Sequence, residues 1–291
     1  WSWGDGLNGV LGHGADKSNK SAPDQVGSLT NWARVSVGSN NVLATKTDGT
    51  LWAWGTGTFG RLGLGNTTNY SSPVQVGSST DWAFPMAGTQ SVAVIKTDGS
   101  LWAWGYGSRG QTGHGNTTSY SSPVQVGALT DWAFGSVGSG FMMMLKKDYT
   151  LWGWGTNLNG QTGHGNTTSY SSPKQVGALT DWSSVFADTN ITIATKSDGT
   201  AWSWGSGANG RLGLGNLTNY SSPKQIGSLT NWLTTSNMSV KSDGTLWSWG
   251  YNGLGILGLG NTTNYSSPKQ VGSLTTWDTA GTSYSGSVGQ K

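Results

Sequence analysis

Three histidines and thirteen aspartates are the imidazoles and carboxylates of this 291-residue chain, which has no glutamate and no cysteine. A zinc site would need three or four such ligands to converge. His13, His114 and His164 instead recur at one position of a repeating pattern, where other copies carry Leu64, Leu214 and Leu259. A place that accepts leucine or histidine reads as packing, so no metal ligand is assigned. Acid–base hydrolysis would need carboxylates paired across a substrate. Eight aspartates belong to repeat positions, at 48, 98, 148, 198 and 243 and at 81, 131 and 181. The other five (Asp5, Asp16, Asp24, Asp188 and Asp278) make no spaced pair with an acid or base partner. No nucleophile elbow, phosphate loop or zinc signature is present, and the many Gly-x-Gly elements open no helix that would cradle a phosphate. The expectation is a non-enzyme with no catalytic residue and no cofactor. Asn66-Thr67-Thr68 and Asn116-Thr117-Thr118 match the glycan acceptor pattern, but they are copied with the repeat and read as loop chemistry.

Charge narrows the partners. The net charge is +3 with a pI near 9.0. The basic residues are scattered, and Lys146-Lys147 is the one adjacent pair. A nucleic-acid binder carries a dense basic stripe, so nucleic acid is not expected as a partner. No apolar run approaches the roughly 20 residues needed to cross a bilayer, so membrane insertion is not expected. Without cysteine there are no disulfides, and the redox compartment stays open. No signal-peptide pattern is read in these residues, and a first residue of Trp rather than Met gives the expectation of a processed or truncated chain.

The elements that hold these residues follow the tryptophans. All 18 fall into a unit of about fifty residues: six Trp-x-Trp-Gly pairs from Trp1/Trp3 to Trp247/Trp249, and single copies at 32, 82, 132, 182, 232 and 277. The unit from Trp82 to Gly127 predicts four short strands, around Trp82, over Val92–Lys96, over Leu101–Trp104 and over Val124–Val126. These segments are short, aromatic or β-branched, and closed by turn residues. Asp-Gly at 48–49, 98–99, 198–199 and 243–244 predicts tight hairpins between second and third strands, while Asp148-Tyr149 predicts a strained or different turn. Indoles two residues apart share one strand face, which places them as packing between stacked sheets. Six such units predict an all-β propeller of four-stranded blades, a single domain over 1–291 with repeats starting near 1, 51, 101, 151, 201 and 246. The chain opens on a third strand and ends on first-strand and weak second-strand sequence, Tyr284–Val288. Its two ends are therefore expected to share the closing blade.

Gly60-Arg61-Leu62-Gly63-Leu64-Gly65 and Gly110-Gln111-Thr112-Gly113-His114-Gly115, set after Leu-Trp-x-Trp-Gly, resemble the regulator of chromosome condensation repeat. The flanking Asp-Gly-Thr-Leu-Trp and Ser-Ser-Pro-x-Gln-Val-Gly resemble its bacterial and phage branch. The resemblance implies a propeller, commonly of seven blades, so an incomplete seven-bladed ring is the alternative to six. Family units often carry His near positions such as Gln90 or Phe141, which no unit here does, and the fifth unit is about five residues short between Trp232 and Lys241. The family's founder is an exchange factor for a small GTPase that acts through an inserted wedge. The spacing of Pro23, Pro73, Pro123, Pro173 and Pro223 leaves no room for one, so a small GTPase is not expected as partner.

Function in a repeat chain is sought where the copies differ. The connections from first to second and from third to fourth strand emerge on one edge of each blade and hold most of the variation. Phe59, Tyr106, Arg109, Leu158, Tyr251 and Leu254 are the candidate binding residues there. The reading is a non-catalytic interaction or structural module with a macromolecular partner, a protein by preference. It is placed outside the cell, on a cell surface or on a virus particle. An inhibitor or regulator docking on one enzyme or GTPase, and a carbohydrate-binding propeller, stand as alternatives.

Overall fold

In the computed structural model the coordinates describe every residue except 29, 234–235, 283–286 and 291. The chain divides into two compact units, Trp1–Met142 with Tyr170–Pro173, and Met143–Ser169 with Lys174–Lys291. The strands follow the repeat. After β1 (Ser2–Gly4) and β2 (Lys20–Asp24), the first full set is β3 (Trp32–Val37), β4 (Asn41–Lys46), β5 (Leu51–Gly55) and β6 (Tyr70–Gln75). Next come β7 (Trp82–Ala87), β8 (Ser91–Lys96), β9 (Leu101–Gly105) and β10 (Tyr120–Gln125). The third set is β11 (Trp132–Val137), β12 (Phe141–Lys146), β13 (Leu151–Gly155) and β14 (Tyr170–Gln175). The fourth is β15 (Trp182–Ala187), β16 (Ile191–Lys196), β17 (Ala201–Gly205) and β18 (Tyr220–Gln225). β19 (Met238–Val240), β20 (Leu246–Gly250), β21 (Tyr265–Gln270), β22 (Thr279–Thr282) and β23 (Ser287–Gln290) complete the series. Each full set is one four-stranded antiparallel meander, the blade of a β-propeller.

The departures from the expected pattern have local causes. The fourth strand begins at Tyr120 rather than Val124, and its ladder to β9 skips between Tyr120 and Val124. Pro123 has no N–H to donate there, and an edge strand is where a proline is tolerated. Among the described residues of the short fifth repeat, the first strand shows one isolated bridge, Trp232 to Lys241, beside a three-stranded sheet. The strands of the remaining repeat are two-stranded ladders, β1 with β2 and β22 with β23. Of the second-strand sequence at the C-terminal end, Tyr284–Gly286 lies outside the described residues, and Val288 pairs with Gly281.

The glycine motif is the joint between consecutive blades. Trp104 donates its indole Nε1–H to the Arg61 carbonyl at 3.0 Å, and Trp204 does the same to Gln161 at 2.9 Å. Gly63 lies under the Trp104 ring with φ +74°, and a Cβ there would sit 2.7 Å from Nε1. Only glycine combines that backbone with that approach. Gly65 N–H then bonds the Ser121 carbonyl of the following blade at 2.8 Å. Leu43, Leu51, Leu62, Val76, Trp82, Val92, Val94 and Trp104 close one core between these blades.

Candidate functional site on the loop edge

The groups with chemistry are held by the scaffold. Asp48 Oδ1 accepts from Thr50 N at 3.0 Å and Thr50 Oγ1 at 2.6 Å, and Thr50 in turn accepts the Trp52 indole N–H at 2.9 Å. The same arrangement recurs at Asp198, Thr200 and Trp202. These hydrogen bonds hold Asp48, Asp98, Asp148, Asp198 and Asp243 below the ordinary carboxylate range. Lys96 lies between the Trp82 and Trp102 rings, with Nζ 4.5 and 4.6 Å from their centroids and 3.0 Å from Asp81. Lys196 repeats this with Asp181 at 3.2 Å. Each of these carboxylates is thus spent on a turn or on a lysine.

The histidines are spent in the same way. His114 Nε2 lies 3.1 Å from the Val124 carbonyl and His164 Nε2 lies 3.0 Å from the Lys174 carbonyl. A carbonyl only accepts, so both rings carry the proton on Nε2. Burial pushes both below the usual histidine range. His13 bonds Ser2 Oγ at 3.0 Å and stands 4.0 Å from Asp24. His114 and His164 bridge a glycine loop to an outer strand of their own repeat, where leucine packs in other copies. Among the described residues no group of three His, Cys, Asp or Glu is placed to hold a metal ion.

The paired connections do share an edge. Tyr106 N–H bonds the Gln90 carbonyl at 3.0 Å and Ser206 N–H bonds that of Asn190 at 2.9 Å. On this edge the structure brings Phe59 and Tyr106 together, with ring centroids 4.5 Å apart and planes at 43°. Phe59 sits at φ +63° and is 37% exposed. Asn8 and Asn209 hold the matching left-handed positions of other loops, at φ +60° and +57°. Arg109 is exposed at the neighbouring loop tip, where its N–H bonds Gln111 Oε1 at 2.8 Å. Leu158 and Leu254 are exposed tips, 64% and 61%, in the other compact unit. Tyr251 is half-buried, its ring folded onto Gly253, where a Cβ would meet the hydroxyl oxygen at 2.3 Å.

Residue-by-residue reading passed over Arg61, which orders this edge. It is buried, donates Nε–H to the Thr58 carbonyl at 3.0 Å and Nη1–H to the Thr89 carbonyl at 2.7 Å, and lies 5.9 Å from the Phe59 ring centroid. Its guanidinium ties the Phe59 loop to the first connection of the following blade. The clue was the alternation of Arg61 and Arg211 with Gln111 and Gln161 inside an otherwise repeated motif. Also unforeseen is an apolar hollow of about 550 Å³ lined by Trp1, Trp3, Leu7, Val35, Val37 and Trp54. The indoles that a sugar platform would need at the surface are largely interior, with Trp104, Trp154 and Trp204 at 0% exposure.

Six segments match the model of the regulator of chromosome condensation (RCC1) repeat, at residues 1–45, 48–90, 98–145, 150–195, 198–236 and 243–283. The chain belongs to the RCC1 repeat family. A curated relative named X-linked retinitis pigmentosa GTPase regulator homolog, from Caenorhabditis elegans, is 39% identical over 66 residues, 22% of this chain and 5% of that protein. The ultraviolet-B receptor UVR8 of Arabidopsis thaliana is 41% identical over 70 residues, 23% of this chain and 16% of its own length. The chain therefore spans a small part of the curated RCC1 relatives it matches. Among solved structures, human WBSCR16 superposes with a TM-score of 0.78 at 18% identity, over 92% of this chain and 77% of that one. Prp20p of Saccharomyces cerevisiae, described with its binding to Gsp1p and histones, superposes at 0.66 with 17% identity, over 93% and 85%. Likeness at that identity shows the RCC1 propeller fold. One relative is by name a GTPase regulator homolog and another a receptor, so the expectation against a small GTPase finds no support among them.

Proposed function

We propose that this RCC1-repeat chain is a non-catalytic interaction module that takes a protein partner on the loop edge, with Phe59, Tyr106 and Arg109 at the centre of contact. The observation that carries the reading is the backbone of Phe59. A left-handed residue with a bulky side chain is costly, and asparagine tolerates the position better. Two other loops use asparagine there. Phe59 stays 37% exposed while stacking on Tyr106, so packing returns part of its cost and the exposed remainder presents an aromatic surface. Leu158, Tyr251 and Leu254 extend the same kind of edge in the second unit. The same reading puts the module on a virus particle or cell surface, supported by its low charge and absence of cysteine. A regulator docking on one GTPase or other enzyme is the second reading, favoured by the name of the nematode relative.

The test compares immobilised wild type with a Phe59→Asn/Tyr106→Ala variant in quantitative capture from extract of the source cells. The reading requires a protein retained by wild type and lost on the variant, at matched melting temperatures. An identical retained set on both would remove the loop edge from consideration.

A further inference from the structure

We propose a second contact surface, independent of the loop edge, on the hairpin between β12 and β13. It is built on Tyr149 and Lys147 and takes an acidic peptide segment carrying an aromatic side chain.

The hairpins between second and third strands are otherwise near copies. Their left-handed position is Gly49, Gly99, Gly199 or Gly244, at φ +76°, +85°, +77° and +73°. In this hairpin Tyr149 takes the position at φ +63°. A Cβ at Gly49, Gly199 or Gly244 would lie 1.9 to 2.1 Å from the carbonyl oxygen of the threonine that begins the next repeat. Even so, the turn is kept. Tyr149 N–H bonds the Lys146 carbonyl at 3.0 Å, and the Tyr149 carbonyl accepts from Trp182 N–H at 3.2 Å. The side chain recovers little burial for this strain, being 60% exposed. A strained residue that returns so little to the core points to a contact made outside the chain.

A second departure sits two residues away. Where the other hairpins have Thr47, Thr97, Ser197 and Ser242, this one has exposed Lys147. Elsewhere the turn carries one lysine and one aspartate, as in Lys46 and Asp48. Here Lys146, Lys147 and Asp148 leave a net charge of +1, by two minus one. An exposed phenol and an ammonium on the same turn match a partner offering carboxylates beside an aromatic ring.

A fluorescent random copolymer of glutamate and tyrosine tests this by anisotropy against wild type, Tyr149→Gly, Lys147→Thr and Phe59→Asn. Binding by wild type is expected, at least fivefold weaker for Y149G and for K147T, and unchanged for F59N. Y149G should melt at the same temperature or higher, because glycine relieves the turn. No binding by wild type, equal affinity in Y149G, equal weakening in F59N, or tighter binding of a lysine–tyrosine copolymer each overturns the proposal. So does a lower melting temperature for Y149G, which would make the ring a packing element. The loop-edge capture experiment is read on F59N and Y106A, so either surface can fail without the other.

Discussion

The loop edge and the hairpin edge are made by the same strands, yet they spend left-handed backbone on different residues. On the hairpin edge the position is glycine in four described turns and tyrosine in one. On the loop edge it is asparagine in two and phenylalanine in one. Each edge therefore has one repeat where a tolerant residue gives way to an aromatic. The outcomes differ. Phe59 stacks on Tyr106 and lies near Arg61, so part of its cost returns as packing. Tyr149 stands in solvent, with its turn already held by Asp148 and Thr150. Uniformity on an edge thus reflects folding requirements, and contact surface has to be sought at the exceptions on both.

The largest effect should come from removing what the two edges share. Trp104 is fully buried and bridges to the Arg61 carbonyl, so Trp104→Ala is expected to cost about 3–5 kcal/mol in denaturant unfolding and to abolish binding on both edges. A loss confined to one edge would mean that the blades are energetically separate. Next, Thr200→Val strips the partner of the Trp202 indole and of Asp198 and should cost about 1–2 kcal/mol, with the loop edge still competent. Loss of loop-edge binding in that variant would tie the edges together.

Smaller still are the two exceptions themselves. Tyr149→Gly should gain about 0.5–1 kcal/mol, since strain is relieved and little packing is lost. Phe59→Asn should change stability by less than about 0.5 kcal/mol, because an aromatic pair worth roughly 0.5–1.5 kcal/mol offsets the relieved backbone. Equal gains from both, measured by urea unfolding, would erase the contrast between the edges.

Much of this was legible in the residues. Strand order, hairpin positions and the packing role of Trp-x-Trp follow from spacing, because the requirements are local and repeated. The strain at Asp148-Tyr149 was legible for the same reason, as a bulky residue in a glycine slot. Arg61 was not, since its partner Thr89 lies 28 residues away on the next repeat and no periodic signal links them. The meeting of Phe59 with Tyr106 likewise depends on how consecutive blades dock. The exposure of Trp3 at 60%, against 0% for Trp104 in the same motif, also escapes a reading of the motif alone. Burial of that indole is supplied by the neighbouring blade, and the strand that carries it cannot provide it.

The smallest expected effect concerns pH and divides along the same contrast. His114 and His164, beside the glycine loops, are held neutral by burial, with folded pKa values below the ordinary histidine value. The unfolded chain therefore binds more protons, and their stability contribution, present above the unfolded pKa of about 6.5, is lost as pH falls through the folded value. The hairpin aspartates, also depressed, lose their contribution only as pH falls below the usual carboxylate range near 3.9. Melting temperature should thus fall in two stages on acidification. His114→Leu/His164→Leu, which restores the residue of other repeats, should flatten the stage between pH 7 and 5 and leave the lower one unchanged. An unaltered upper stage in that variant would show that the two rings titrate alike in folded and unfolded chains, against the burial seen at both.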